Sequence, residues 1–249
     1  MTGTIRRAAE ALLFCVALII LWEGGVRLFE VKPYLLPSLS AIAEETWRAR
    51  AQLWQHSLVT LGEVALGFAF ATVLGVALAA LIFFVPLAKR TLYPFVVALQ
   101  SIPKIGLAPI IVVWCGYGLA SKVTMAFLFA FFPIVITTLG GLASTPAHLE
   151  EHFRALGAKP WASFWRLRVP SALPSFVDGA KVAMPLAVIG AIVGEFVGSN
   201  DGLGNLILIA TGSSQTALSF SALLVVTGLS LALFYLIEAL GRLVWWRQG

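Results

Sequence analysis

Two groups of residues in this sequence sit where their chemistry would matter. The first is a pair of ionisable side chains inside apolar stretches: Lys104, set between Pro103 and Pro109 with Gly106 nearby, and Glu195, within Phe176 to Gly198. A charge in hydrocarbon is costly and must face protein or a water-filled cavity, and the prolines and glycine around Lys104 free backbone groups with the same need. Lys104 is either a counter-charge for an anionic solute or one half of a structural pair, for which Glu195 is the obvious partner. Glu195 is itself either structural or pathway-lining. The second group lies between Thr145 and Gly157, where Leu149, Phe153 and Leu156 recur at i, i+4 and i+7 beside Glu150, Glu151 and Arg154. That spacing predicts a short amphipathic helix, capped by Thr145 with Pro146 in its first turn and stopped by Gly157. Such a helix either lies on lipid or docks a partner. No catalytic set is found. His56, His148 and His152 share no metal-ligand spacing, no Ser/His/Asp or Cys/His set is credible, and no cofactor is implied. The chain has no Gly-x-x-x-x-Gly-Lys-Ser/Thr loop to cradle nucleotide phosphates, so it is not expected to be an enzyme.

The elements that must position these residues follow from composition. The chain has 249 residues, 59% hydrophobic and only 12% charged, about half the charged share of a soluble domain. Uncharged runs from Val64 to Ala88, Val123 to Leu149 and Gly202 to Ile237 are each long enough to cross a ~30 Å hydrocarbon core as helix. Three further stretches cross by length but carry charges: Ala11 to Phe29 with Glu23 and Arg27, Leu92 to Cys115 with Lys104, and Phe176 to Gly198 with Asp178, Lys181 and Glu195. Continuous apolar runs without two-residue alternation exclude a barrel. The expectation is an all-α, polytopic membrane protein with six transmembrane helices at about 10–29, 58–84, 92–115, 122–143, 176–198 and 217–244, forming one transmembrane domain over 1–249. The basic start and apolar middle of the first 30 residues resemble a signal peptide, but Trp22, Glu23 and Arg27 stand in place of a cleavage site. That segment is taken as a mature helix.

Orientation follows from Lys and Arg. With the N-terminus cytoplasmic, the inner segments hold Arg6, Arg7, Lys89, Arg90, Arg154, Lys159, Arg166, Arg168, Arg242 and Arg247, against Arg27, Lys32, Arg48, Arg50 and Lys122 outside. Both termini then face the cytoplasm, and the net charge of +5 reflects topology rather than nucleic-acid binding. Residues 30–56 form an outer loop with a short surface helix from Ala41 to Leu53. Residues 144–175 form the inner loop, where Pro160 opens a second short helix that Pro170 and Pro174 end. Cys15 and Cys115 fall in spans and imply no disulfide. Glu63 is expected at the interface and Lys122 in solvent or headgroups, Asp178 and Lys181 as a local pair, and Asn200, Asp201, Gly202 and Gly204 as an outer turn. Gly67, Ala71, Gly75 and Ala79 favour close helix packing, either within the chain or between subunits.

Glu151-His-Phe-Arg-Ala-Leu-Gly157, nine residues, then Leu167-Arg-Val-Pro170 resembles the cytoplasmic signature of permease subunits of bacterial binding-protein-dependent ABC importers: Glu-Ala-Ala, three residues, Gly, nine residues, Ile, one residue, Leu-Pro. The spacing matches throughout, with His152 and Phe153 for the alanines and Leu167 and Val169 for the Ile and Leu. Leu36-Pro-Ser38, Ser101 to Pro109, Phe132-Pro133, Gly194 to Gly198 and Gly202-Leu-Gly204 extend the likeness, closest to the branch serving nitrate, sulfonates and taurine and that for thiamine-pyrimidine precursors and riboflavin. The resemblance implies an inner-membrane permease without its own ATPase site. It implies cytoplasmic ATP-binding subunits docked on Leu149, Glu150, Glu151, Phe153, Arg154, Leu156 and Gly157, an extracytoplasmic solute-binding protein, and a second permease copy, most simply identical. The alternative class, an ion-coupled secondary transporter, would want buried acidic relays and an inverted repeat.

Overall fold

The computed structural model describes residues 2–245. Arg247 lies outside the described residues, as do the side chains of Arg6, Arg7 and Cys15. The backbone is predominantly helical, with no strand among the described residues: α1 (Thr2–Leu28), α2 (Leu39–Arg48), α3 (Arg50–Phe84), α4 (Pro86–Gln100), a 3-10 turn (Lys104–Leu107), α5 (Ala108–Cys115), α6 (Leu119–Ala143), α7 (Ala147–Ala155), α8 (Pro160–Ser163), a π turn (Phe164–Arg168), α9 (Val169–Gly198), α10 (Leu203–Gly212) and α11 (Thr216–Trp245). By length and composition four continuous helices can cross a bilayer: Arg50–Phe84, Leu119–Ala143, Pro160–Gly198 and Thr216–Leu243. The pair α4 and Lys104–Cys115 makes a fifth if its two arms form one crossing.

The core is α6 against α9, with α3 laid on α6 and α11 on α9. Small residues make this possible. A Cβ at Gly190 would stand 2.6 Å from the Met125 carbonyl oxygen and 2.8 Å from the Ala126 Cα, and one at Gly67 would stand 2.5 Å from the Ala126 Cβ. Gly67, Ala71, Gly75 and Ala79 are all buried, and Gly75 packs on Ile134. The small-residue stripe therefore serves packing within the chain. Val64, Ala126, Ala130, Ile134, Ala187 and Ala191 complete the centre of this core.

Three elements depart from the expected pattern. The stretch Leu92 to Cys115 is not one helix: it breaks after Gln100 and its two arms are bent by 89°. Pro103 at φ −63°, ψ 91° has no N–H to continue α4, and a proline disfavours the α conformation in the residue before it. Helix α8 does not end at Pro170 or Pro174 but runs on into α9. The π turn widens the helix ahead of Pro170, and Val169 N–H donates to the Phe164 carbonyl five residues back, which relieves the clash a proline ring makes with the preceding turn. The surface helix is α2, capped by the Ser38 hydroxyl, which accepts from Ala41 N–H; the chain turns at Ala49, so Leu53 belongs to α3.

Gly190→Ala is expected to force α6 and α9 apart and cost about 1–3 kcal/mol, the usual range for overpacking. Gly140→Ala, whose added Cβ meets nothing within 4 Å, is the control. Thermal unfolding of both variants in detergent should show a lowered midpoint for the first alone.

Candidate functional site

At one end of the bundle, the connection between α6 and α8 carries α7. Helix α7 begins at Ala147 with Pro146 as its cap at φ −60°, ψ 132°, one residue later than the Thr145 cap expected; the Thr145 hydroxyl is buried without a hydrogen bond. Gly157 adopts φ +75°, the left-handed stop that only glycine takes without strain. Ala158 N–H reaches back to the Phe153 carbonyl and Gly157 N–H to the Arg154 carbonyl. The predicted residues separate by face. Leu149, Glu151, Arg154 and Leu156 are exposed, Leu156 by 72%, while Phe153 is half-buried. Glu150 turns inward and forms an ion pair with Arg168 on the π turn. Arg168 also donates to the Leu142 carbonyl at 3.1 Å and stacks 4.7 Å above the Phe83 ring. Phe83, Phe84, Phe164, Trp161 and Trp165 form one aromatic cluster beneath α7.

Lys104 and Glu195 do not meet. Lys104, half-buried at the break between α4 and α5, lies 4.8 Å over the Phe132 ring and 5.6 Å over that of Phe129, and has no carboxylate partner among the described residues. Glu195 is fully buried. It accepts from the Thr60 hydroxyl at 2.6 Å and from Gly204 N–H. Thr60 Oγ1 in turn accepts from Leu203 N–H at 2.9 Å, and His56 Nδ1 accepts from Gly202 N–H at 2.9 Å. The first turn of α10 is thereby sewn to α3 and α9. A Cβ at Gly202 would stand 2.2 Å from the Glu195 carboxylate, so this turn is built around the carboxyl group and is more than a surface turn.

The cation in this region is Lys122. Its ammonium lies 3.1 Å from Glu63 Oε1, with side-chain exposures of 8% and 1%. Lys122 is not solvated, and Glu63 faces the interior of the bundle. The reason is a join of three helices, since Glu63 is on α3, Lys122 on α6 and Glu195 on α9, at the end where Gly194 packs on Lys122. Long-range pairing of this kind leaves no trace in local spacing. Glu23 and Arg27, which interrupt the first stretch, pair with each other at 2.6 Å and with Ser40, and Asp178 pairs with Lys181 at 3.3 Å. Among the described residues no group of three His, Cys, Asp or Glu side chains could hold a metal ion.

Lys122→Met would leave two buried carboxyl groups without a cation and is expected to cost about 3–5 kcal/mol, as when one partner of a buried pair is removed. Combining it with Glu63→Gln should recover a large part of the loss. Unfolding midpoints in detergent for the single and double variants check this.

Comparison with known proteins places this architecture. Residues 71–246 match the family described as the binding-protein-dependent transport system inner membrane component. The chain is 45% identical over 199 residues to the formylaminopyrimidine transport permease protein ThiX of Halalkalibacterium halodurans, covering 80% of this chain and 79% of that protein. It is 37% identical over 229 residues to the riboflavin transport system permease protein RibX of Chloroflexus aurantiacus, covering 91% and 85%. A probable ABC transporter permease protein of Haemophilus influenzae is 35% identical over 96% of this chain and 98% of its own. The fold resembles a chain of the MetNI methionine ABC transporter in an inward-facing conformation, with a TM-score of 0.66 at 24% identity over 80% of this chain and 96% of that one. With the family matched across most of its length and close relatives that are permeases throughout, the chain belongs to the inner membrane components of binding-protein-dependent transport systems, the permease subunits of ABC importers.

Proposed function

We propose that this permease opens and closes a solute path in response to ATP-binding subunits seated on α7. The observation that carries this reading is α7 itself: a short helix with an open face of Leu149, Glu151, Arg154 and Leu156, ended by Gly157, at the junction of the two most tightly packed helices. Apolar side chains flanked by charges suit a groove in a partner, the charges setting orientation and the apolar groups supplying buried area. Phe153 is half-buried, and Glu150 orients the helix through Arg168. A displaced short helix moves α6 and α9 as packed bodies, and each state of the permease must then bind the ATP-binding pair differently.

The excess of Lys and Arg on the α7 side supports a cytoplasmic position for that end and for both termini. With α1 and the bent α4–α5 pair each counted once, the bundle has six crossings in the bacterial inner membrane. One such unit does not enclose a path, so a second, identical copy is the simplest completion; an extracytoplasmic solute-binding protein would deliver to the opposite end. Lys104 fits the path. It sits on broken helix, where non-helical backbone at membrane depth lines cavities, and its charge is held over aromatic rings instead of a carboxylate. Glu195, closed in by Thr60 and Gly204, serves as an anchor of the outer end. The relatives named for formylaminopyrimidine and riboflavin support a small heteroaromatic solute ahead of a sulfonate or taurine.

Glu151→Ala with Phe153→Asp is expected to reduce co-purification of the ATP-binding subunits about tenfold, or ~1.4 kcal/mol, while the permease stays folded; unchanged capture would remove α7 as the docking element. Lys104→Met is expected to slow uptake in reconstituted vesicles with assembly retained, tested with formylaminopyrimidine, riboflavin and taurine as separate solutes. Parallel loss of assembly would make Lys104 structural.

A further inference from the structure

The docking helix is joined to the bundle by two short connectors, residues 144–146 and 156–159, of which the second contains the left-handed Gly157. Connectors of three or four residues tether α7 but do not fix its angle. A stroke delivered to α7 would bend them before it moved the long helices, unless a stiffer link runs in parallel.

One side chain provides that link. We propose that Arg168 is the positioning residue that converts displacement of α7 into movement of the bundle, an inference that rests on α7 being the docking element. Its guanidinium has one nitrogen on the Glu150 carboxylate of α7 and another 3.1 Å from the Leu142 carbonyl oxygen. Leu142 lies in the last turn of α6, where carbonyls have no partner within the helix, so the bond fills an acceptor that the fold leaves open. The guanidinium carbon, Cζ, lies 4.7 Å from the centre of the Phe83 ring at the end of α3. Arg168 itself occupies the last position of the π turn that feeds α9. The ends of α3, α6, α7 and α9 thus converge on a single planar group.

The geometry requires arginine. A directed N–H bond to the Leu142 carbonyl, a charge contact with Glu150 and an aromatic ring beneath can be met together by the guanidinium fork, whereas an ammonium is a point charge without a face. The clasp is also sheltered: Arg168 and Glu150 side chains are each 24% exposed and border a cleft of about 450 Å³ with Phe84, Arg154 and Pro160. Partial burial keeps the ion pair from being fully screened. Phe164, buried beside Leu142 and Ala172, packs beneath the same corner and limits how far the π turn can shift on its own.

The test uses the complete importer, reconstituted in proteoliposomes with its ATP-binding subunits and its solute-binding protein, with ATP hydrolysed and solute accumulated measured together. Arg168→Gln is expected to retain captured ATP-binding subunits, because the open face of α7 is untouched, while solute moved per ATP falls about tenfold. Arg168→Lys should recover only part of that ratio, since it keeps the charge and loses the fork. A normal ratio in Arg168→Gln overturns the proposal, as does loss of capture in step with the ratio, which would make Arg168 part of docking. Should Arg168→Gln fail to fold, Glu150→Gln and Phe83→Leu each remove one contact of the clasp: a lowered ratio in either supports it, and normal ratios in both overturn it. Failure of the docking reading is separately visible, because Glu151→Ala with Phe153→Asp would then leave capture intact.

Discussion

With no side chain at residue 190, the α9 backbone comes so close to α6 that an added methyl group would collide with the Met125 carbonyl. The same holds for α3 at Gly67. Inside a bilayer there is no water to expel between helices, so association depends on close dispersion contact and on satisfied polar groups. These approach points give α3, α6 and α9 a common rigid centre. Helix α7 hangs from the ends of that centre, since its two connectors lead directly to α6 and, through α8, to α9. A loosely packed bundle would absorb a push on α7; one in backbone contact passes it on.

Charge is handled by the same economy of space. Where the helices converge at the far end, Glu63, Lys122 and Glu195 are almost completely withdrawn from solvent, and the backbone of the α10 turn folds in to supply donors. At the α7 end, Arg168 gathers a carboxylate, a carbonyl and an aromatic face. Between them lies Lys104, held over rings at a break in the helix. The ion pairs at the two ends join different helices, whereas the lysine between them is left without an anion among the described residues.

What could be read in the sequence depended on how local the cause was. The amphipathic spacing of Leu149, Phe153 and Leu156 and the glycine stop at 157 are decided within one or two turns, and α7 was legible to within a residue. The family likeness of the same stretch was legible because spacing survives when side chains change. The burial of Glu63 and Lys122 was missed because each borders a long apolar run, which is also how an interfacial charge looks; their partner lies across a helix contact that no window contains. Thr60 and Glu195 are 135 residues apart, and the role of Gly202 depends on both. The 89° bend was half legible: Pro103 and Pro109 announced disturbed backbone, but not whether the helix would kink or fold back. The continuation through Pro170 was hidden by the π turn, which adjusts helix width without a distinctive residue.

The unbroken run from Pro160 to Gly198 has 39 residues, about 58 Å at 1.5 Å per residue, nearly twice the ~30 Å hydrocarbon thickness. It is therefore longer than that layer is thick. One tip begins beside α7, and the other ends next to the Glu195 clamp. Rocking by about 10° around its midpoint carries the two tips roughly 5 Å in opposite directions, by the same helical rise. Any such tilt therefore displaces the α7 end and the Glu195 end in opposite senses.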